Sequence, residues 1–170
     1  MSRPEPTEYG AYYEKYVSII NENDILTTLA AQPTELADMF VAVPEERGTF
    51  AYAEGKWTIK EVLGHLIDGE RMFAYRAFRI SRGDMTPIEG FEQDGYIENA
   101  FSNDRGFADI LEEFKLLRRA NMIFFNHLHD DAWLRMGTAS GVSVSVRAIA
   151  YIMAGHVRHH VNILRDRYTG

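Results

Sequence analysis

The sequence predicts an all-α fold, a four-helix bundle formed by a single domain over residues 1–170. Four long segments carry apolar residues three and four positions apart, which is the spacing of one helix face. Helix-capping residues stand in front of three of these segments. The chain of 170 residues, 46% of them hydrophobic, is long enough to bury one sizeable core.

The elements before the second long helix have different signals. Residues 7–20 are rich in tyrosine and predict a short helix that packs its aromatic side against the body. Asp24 is an N-cap residue and starts the first long helix, which should run to about Val41. Pro33 lies in its middle and should kink or split it. Residues 49–56 are too short and too rich in alanine and glycine for a strand, so they form a connector.

The second long helix has the clearest boundaries. Thr58 followed by Glu61 is a capping box, and a broad apolar face follows it. Gly83 marks the end of the helix. His65 stands at the edge of the apolar face, so this helix can offer one imidazole to a neighbouring helix.

The last two long helices complete the bundle. The third should run from about Asp104 to His129, and the fourth from Ser143 or Ser145 to about Tyr168. Core positions of the fourth helix alternate at spacings of three and four residues, as in a bundle seam. The seam consists of Val146, Ile149, Met153, His156, His160 and Ile163.

The connections indicate how the helices are ordered. Residues 83–103 separate the second and third helices by roughly twenty residues, well beyond the ~2–8 expected between antiparallel neighbours. That length permits a crossover with the second and third helices parallel, giving up-down-down-up. Residues 91–96 in this connection, and the second connection from Asp130 to Val142, could cover a site. The charged pairs Glu70-Arg71 and Arg118-Arg119 should lie on exposed helix faces.

Composition excludes several functions. The formal net charge of −7 and pI of about 5.4 argue against nucleic-acid binding, which needs a basic surface. The chain has no cysteine, which excludes thiolate metal sites, disulfides and a cysteine nucleophile. No apolar run reaches the ~18 residues of a membrane span, and the polar start lacks a signal-peptide core. The expected location is the cytoplasm.

The histidines predict a metal site. His156 and His160 lie four residues apart and therefore project from one helix face, where two imidazoles can bind one divalent ion. His65 from a facing helix would complete a three-histidine site with open coordination positions. His159 is the competing ligand but falls beside the seam. Asp68 is an acceptor that orients an imidazole, a fourth ligand or a solvated helix charge. Core histidines satisfied by hydrogen bonds remain the alternative.

Three stretches then resemble a known family: residues 57–68, 91–96 and 155–164 are similar to the DinB-like superfamily, and closest to its YfiT-like metal-dependent hydrolases. The resemblance extends from about Asp24 to Tyr168, and Pro33 departs from it. It implies a four-helix bundle that binds a divalent metal, zinc or nickel, through His65, His156 and His160. It also implies a homodimer, and related branches use low-molecular-weight thiols as cosubstrates.

Three functional hypotheses follow. The first is metal-dependent hydrolysis of a small molecule, with Asp68 or the loop residue Asp94 as the base. The second is transfer by a small thiol that the metal activates as thiolate, which fits a chain without its own cysteine. The third is a non-catalytic metal-binding protein associated with stress.

Overall fold

The structure, a computed structural model, describes residues 2–168. The predicted domain of residues 1–170 also includes Met1, Thr169 and Gly170, which lie outside the described residues. The helices and strands, in chain order, are α1 Glu14–Val17, α2 Ile25–Phe40, α3 Ile59–Ser81, α4 Gln93–Ala100, α5 Phe107–Asn126, α6 Asp130–Trp133, β1 Met136–Ala139, β2 Val142–Ser145 and α7 Val146–Arg167. Short 3₁₀ helices cover Pro6–Glu8, Ala11–Tyr13, Glu45–Thr49 and Ser102–Asp104.

The predicted helix starts are confirmed at three of the four bundle helices. The Asp24 carboxylate accepts hydrogen bonds from two backbone N–H groups at the start of α2. Thr58 and Glu61 form the capping box of α3. Ser145 caps α7 through a 3.0 Å bond from the backbone N–H of Ala148. The third bundle helix is shorter than predicted: α5 begins three residues after Asp104 and ends at Asn126.

The four long helices form the predicted up-down-down-up bundle. Helices α2 and α3 each pack against both α5 and α7, so the pairs α2–α3 and α5–α7 lie on the diagonals. The start of α5 meets the end of α2, the ends of α3 and α5 meet, and the end of α7 meets the start of α3. The contacts are Phe40 with Phe107, Phe78 with Phe124, and the Tyr168 hydroxyl donating to the carbonyl of Trp57.

The crossover from α3 to α5 runs back along α3. Two of its parts touch that helix near its start. Ser102 lies against Gly64, where an added Cβ would stand 2.2 Å from the serine oxygen. The amide of Asn103 donates to the Glu61 carboxylate at 2.9 Å. The crossover therefore covers the outer side of α3, and it includes the short helix α4.

The second connection is more ordered than predicted. Residues 130–142 contain α6 and most of a two-stranded hairpin, β1 with β2. Ser140 and Gly141 make its tight turn with positive φ values of 53° and 76°. The backbone of Ile88 in the crossover pairs with this hairpin. The alternation of valine and serine over residues 142–145 was the available signal.

A buried ion pair joins three helices. Arg118 of α5 is 1% exposed and donates two hydrogen bonds to the Glu70 carboxylate of α3, at 2.8 and 2.7 Å. Its Nη1 also donates to the Gln32 side chain of α2 at 2.8 Å. The prediction that Glu70 and Arg118 lie on exposed faces was wrong. Burial is tolerated because each charge has the other as its partner.

The same arginine explains why Pro33 does not split α2, which continues unbroken through it. A proline has no N–H to donate to the carbonyl four residues earlier, which here is that of Leu29. Arg118 Nη1 donates to this carbonyl instead, at 2.9 Å. The predicted break fails because a side chain from another helix satisfies the freed acceptor.

The segment before α2 packs against α7 and does not form the single helix that the sequence predicts. Residues 7–20 contain two 3₁₀ turns and the four-residue α1, with Gly10 in extended conformation between the turns. An ion pair from Glu8 to Arg147 ties this segment to α7. The carbonyl oxygen of Tyr16 lies so near Gly155 that an added Cβ would stand 2.1 Å from it.

Gly155→Ala is therefore expected to push α1 away from α7 and to lower the free energy of unfolding by about 1–3 kcal/mol, the usual range for overpacking. Chemical denaturation measures the change. Gly95→Ala is the control, because nothing lies within 4 Å of a Cβ at that α4 position. Equal stability of the two variants would contradict the close packing of α1 on α7.

Among the described helices, none is long and apolar enough to cross a membrane.

Candidate metal centre

Three histidines meet between α3 and α7. Ligand nitrogens of His65, His156 and His160 all lie within 4.8 Å of one another, and all three residues are buried. The Nε2 atoms of His65 and His156 are 2.9 Å apart, close enough for one N–H to donate to the other nitrogen. Within residues 2–168, this is the group of side chains that could hold a metal ion.

Helix geometry brings the rings together. His156 and His160 stand on successive turns of α7, and His65 lies in the second turn of the antiparallel α3. Gly69, one turn after His65, lets the two helices approach closely. A Cβ at Gly69 would stand 2.8 Å from the Cε1 atom of His156.

Aromatic rings enclose the triad on several sides. The ring of Trp57 lies 4.9 Å from that of His65 and stacks at 6.5 Å on His160. Tyr16 and Phe73 contact His156 edge-on, at 5.4 and 5.6 Å. These contacts leave the three imidazoles largely buried, so the surroundings disfavour a positive charge on them.

Burial keeps the triad neutral, which is the form that binds metals. It lowers the pKa of His65 to about 4 and that of His160 to about 3, from the ordinary 6.5. Burial also holds the pKa of His156 well below its usual range, and the other two imidazoles add to this effect. Three neutral imidazoles that converge in a buried site fit the donor set of a divalent zinc-type centre.

These pKa values predict an acid-sensitive fold even without metal. An unfolded chain takes up protons on its histidines below about pH 6.5, whereas the folded triad resists protonation down to pH 3–4. The stability of chelator-treated protein should hold above pH 6.5 and fall below it, by on the order of 1 kcal/mol per histidine over the first pH unit.

Urea unfolding at pH 7.5 and pH 5.5 measures this loss. His160→Gln should reduce the pH dependence, whereas His127→Gln should preserve it because His127 is exposed. Equal stability of the parent protein at both pH values would contradict the neutral triad.

A cavity of about 390 Å³ opens beside the triad. His65 and His156 form one part of its wall, and Arg76 lines it as well. Sequence reasoning did not single out Arg76, or Ser140 of the hairpin turn. Three tyrosines of the N-terminal segment and three residues of the crossover supply much of the remaining wall: Tyr12, Tyr13 and Tyr16, and Phe91, Glu92 and Gln93. The cavity is therefore lined by five separate parts of the chain: the N-terminal segment, α3, the crossover, the hairpin and α7.

The other predicted site residues lie around this centre and not within the triad. Asp68 is half-buried and lines a neighbouring open pocket, and Glu92 lines both this pocket and the cavity. Burial raises the pKa of Asp68; the nearby Arg71 charge opposes this shift, and the Glu113 carboxylate adds to it. Asp94 is exposed on a third pocket that His159 and His160 also line. The ring of His159 packs on Tyr16 at 5.4 Å.

Comparison with known proteins gives a family match over most of the chain. The model of the DinB superfamily matches residues 28–164. This range contains all three histidines, both long connections and the four bundle helices except the first turn of α2 and the end of α7. No curated protein sequence matches the chain.

Two solved structures have the same fold. YfiT from Bacillus subtilis, described as a probable metal-dependent hydrolase with an unusual four-helix bundle topology, superposes with a TM-score of 0.75 at 16% identity. The match covers 96% of this chain and 91% of that one. A mycothiol-dependent maleylpyruvate isomerase superposes with a TM-score of 0.66 at 16% identity, covering 81% of this chain and 58% of that one.

Proposed function

We propose that this chain, which belongs to the DinB superfamily, is a metal-dependent hydrolase of a small molecule. The observation that carries the proposal is the triad itself, three buried and neutral imidazoles beside a cavity of about 390 Å³. Cavities of this size accept small organic molecules. Similarity to YfiT, a probable metal-dependent hydrolase, supports the same reaction class.

The proposed ligands are His65, His156 and His160, with zinc or nickel as the ion. Bound there, the ion would supply Lewis-acid chemistry by polarising a carbonyl or phosphoryl oxygen of the substrate. The chain contributes the neutral imidazoles and the aromatic enclosure that limits access of bulk water. Trp57 and Tyr16, packed against the triad, hold the imidazole rings in place.

Asp68 is proposed as the group that accepts a proton during hydrolysis. Its raised pKa brings the carboxyl nearer to neutral pH, where a general base works best. Asp68 lines the neighbouring pocket and not the cavity, and Glu92 lines both of them. Asp94, in the pocket that His160 lines, is the alternative base. Asp68→Asn and Asp94→Asn should therefore lower turnover to different extents without lowering metal content.

A second candidate is transfer that depends on a small thiol. Two observations favour it: the structural likeness to a mycothiol-dependent isomerase and the absence of cysteine from this chain. A thiol would then have to come from a cosubstrate, and the open space beside the histidines could receive it. Soft thiolate ligands suit zinc-type ions.

The test is a screen of metal-loaded protein. Protein reconstituted with zinc or with nickel is assayed on ester, amide and phosphoester libraries, with and without added low-molecular-weight thiols. Hydrolysis without thiol, lost in His156→Ala, supports the first candidate. A strict thiol requirement supports the second. Metal binding without turnover in either arm would contradict both and favour a non-catalytic metal-binding role in stress.

We also propose that the chain forms a homodimer. Several large apolar side chains on its outer surface remain exposed, among them Tyr75 at 49% and Ile123 at 60%. A second copy could cover such residues. Light scattering at micromolar concentration should give twice the chain mass of 19.5 kDa. A monomer mass would refute the dimer.

A further inference from the structure

A buried arginine faces the cavity, and no carboxylate of the described residues forms an ion pair with it, although Glu92 lines the same cavity. Arg76 of α3 is 3% exposed and lines the cavity beside the triad. Its guanidinium donates to the hydroxyl of Ser140 at 2.7 Å and, at 3.4 Å, to the Tyr13 hydroxyl and the Glu89 carbonyl. Within residues 2–168, its buried Nε has no hydrogen-bond partner. Only neutral groups therefore accept from this cation, and only one of those bonds is short.

Arg118 is a second buried arginine, and its positive charge is fully compensated. It is buried to a similar degree, yet a carboxylate accepts from its Nε and Nη2, and two further oxygens accept from its Nη1. Across the described residues, no carboxylate oxygen forms an ion pair with Arg76. An uncompensated guanidinium in a buried environment is unfavourable unless an anion joins it.

The position of Arg76 relates this charge to the triad. It follows His65 by eleven residues on the same helix, which is close to three full turns and returns to the same face. Helical side chains lean toward the N-terminus, which is here toward His65. Phe73 contacts both Arg76 and the triad: its ring lies 5.9 Å from the Arg76 guanidinium carbon and 5.6 Å from the His156 ring.

We propose that the cavity binds a small organic anion whose carboxylate or phosphate is held by Arg76. The hydroxyls of Ser140 and Tyr13 lie beside the guanidinium and can donate to the same anion. The apolar part of the molecule packs against Phe73 and the neighbouring aromatic rings, with the reacting bond directed at the triad. This assignment of substrate class rests on the proposed function, while anion binding itself does not require turnover.

Binding measurements test the proposal directly. The probes are benzoate, phenyl phosphate and the neutral benzamide, added to metal-reconstituted protein in isothermal titration calorimetry. At least one anion should bind ten or more times more tightly than benzamide. Arg76→Met should abolish that preference, and Arg76→Gln provides a second variant if the first does not fold. Comparison of the two anions identifies the preferred head group.

Arg79→Met is the matched control. It removes the same charge from the same helix, but Arg79 pairs with Asp84 and is not part of the cavity wall. Anion binding should be unchanged in this variant. Equal binding of benzamide and both anions, or anion binding that survives both Arg76 substitutions, would overturn the proposal.

A stability readout separates the charge from the metal. Without ligand, Arg76→Met should raise the melting temperature by a few degrees, because it removes an uncompensated buried cation. A fall in melting temperature would contradict the uncompensated charge. The metal content of Arg76→Met should equal that of the parent. If the parent protein binds no metal but keeps its Arg76-dependent preference for anions, only the proposed function is refuted.

Discussion

Replacing His156 with alanine is expected to reduce the bound metal from about one ion per chain to none. The ring of His156 lies 4.8 Å from that of His65 and 4.7 Å from that of His160, and its Nε2 lies 2.9 Å from that of His65. Two remaining imidazoles hold a divalent ion much more weakly than three. Elemental analysis of protein purified without chelator measures the content.

The ranking of neighbouring histidines makes this prediction specific. His160→Ala should lose the metal like His156→Ala, whereas His159→Ala should retain it, because His159 is not part of the converging group. Chelation of the parent protein should lower its melting temperature, because bound metal adds roughly 2.7 kcal/mol to the free energy of unfolding at a hundredfold excess over Kd. Full metal retention in His156→Ala would exclude the triad as the site.

The second large effect is expected at the buried ion pair. Glu70→Leu should lower the free energy of unfolding by about 3–5 kcal/mol, because the variant leaves the Arg118 guanidinium buried without its carboxylate. The double variant Glu70→Leu with Arg118→Met should recover only part of this loss, because neither charge then remains but the Leu29 carbonyl and the Gln32 side chain lose the Arg118 donor. Urea denaturation of the three variants and the parent measures the coupling.

A partly exposed group of three charges supplies the control for this cycle. Glu113 bonds to Arg71 and Arg105, each at 2.5 Å, but these groups are partly solvated. Glu113→Gln should therefore cost less than about 1 kcal/mol. If Glu70→Leu costs no more than Glu113→Gln, the buried pair does not have the proposed energetic role.

The bundle and the convergence of the histidines could be predicted from local patterns. Caps such as Asp24 and Ser145 act on the next few residues, so their effect is visible in a short window of sequence. The spacing of His156 and His160 is likewise a property of one helix. The length of the crossover indicated the order of the helices because chain reach limits which ends it can join.

The errors at the buried charges concern side chains whose surroundings are formed by distant parts of the chain. Glu70 and Arg118 resemble surface charges in their own helices, and only the distant partner makes their burial favourable. Arg76 was not singled out because its significance arises from the crossover and the hairpin turn that enclose it. No local window contains these contacts, which join residues far apart in the chain.

The hydrogen bond from Arg118 to the carbonyl of Leu29 has a consequence for the order of folding. Local interactions alone leave α2 interrupted at Pro33, since the chain offers no N–H of its own for that carbonyl. The continuous helix thus depends on docking of α5, with Arg118 in place. A peptide spanning Ile25–Phe40 should have little continuous helix in water. The uninterrupted form of α2 should appear together with assembly of the bundle, and α2 is then a poor candidate for an early folding nucleus.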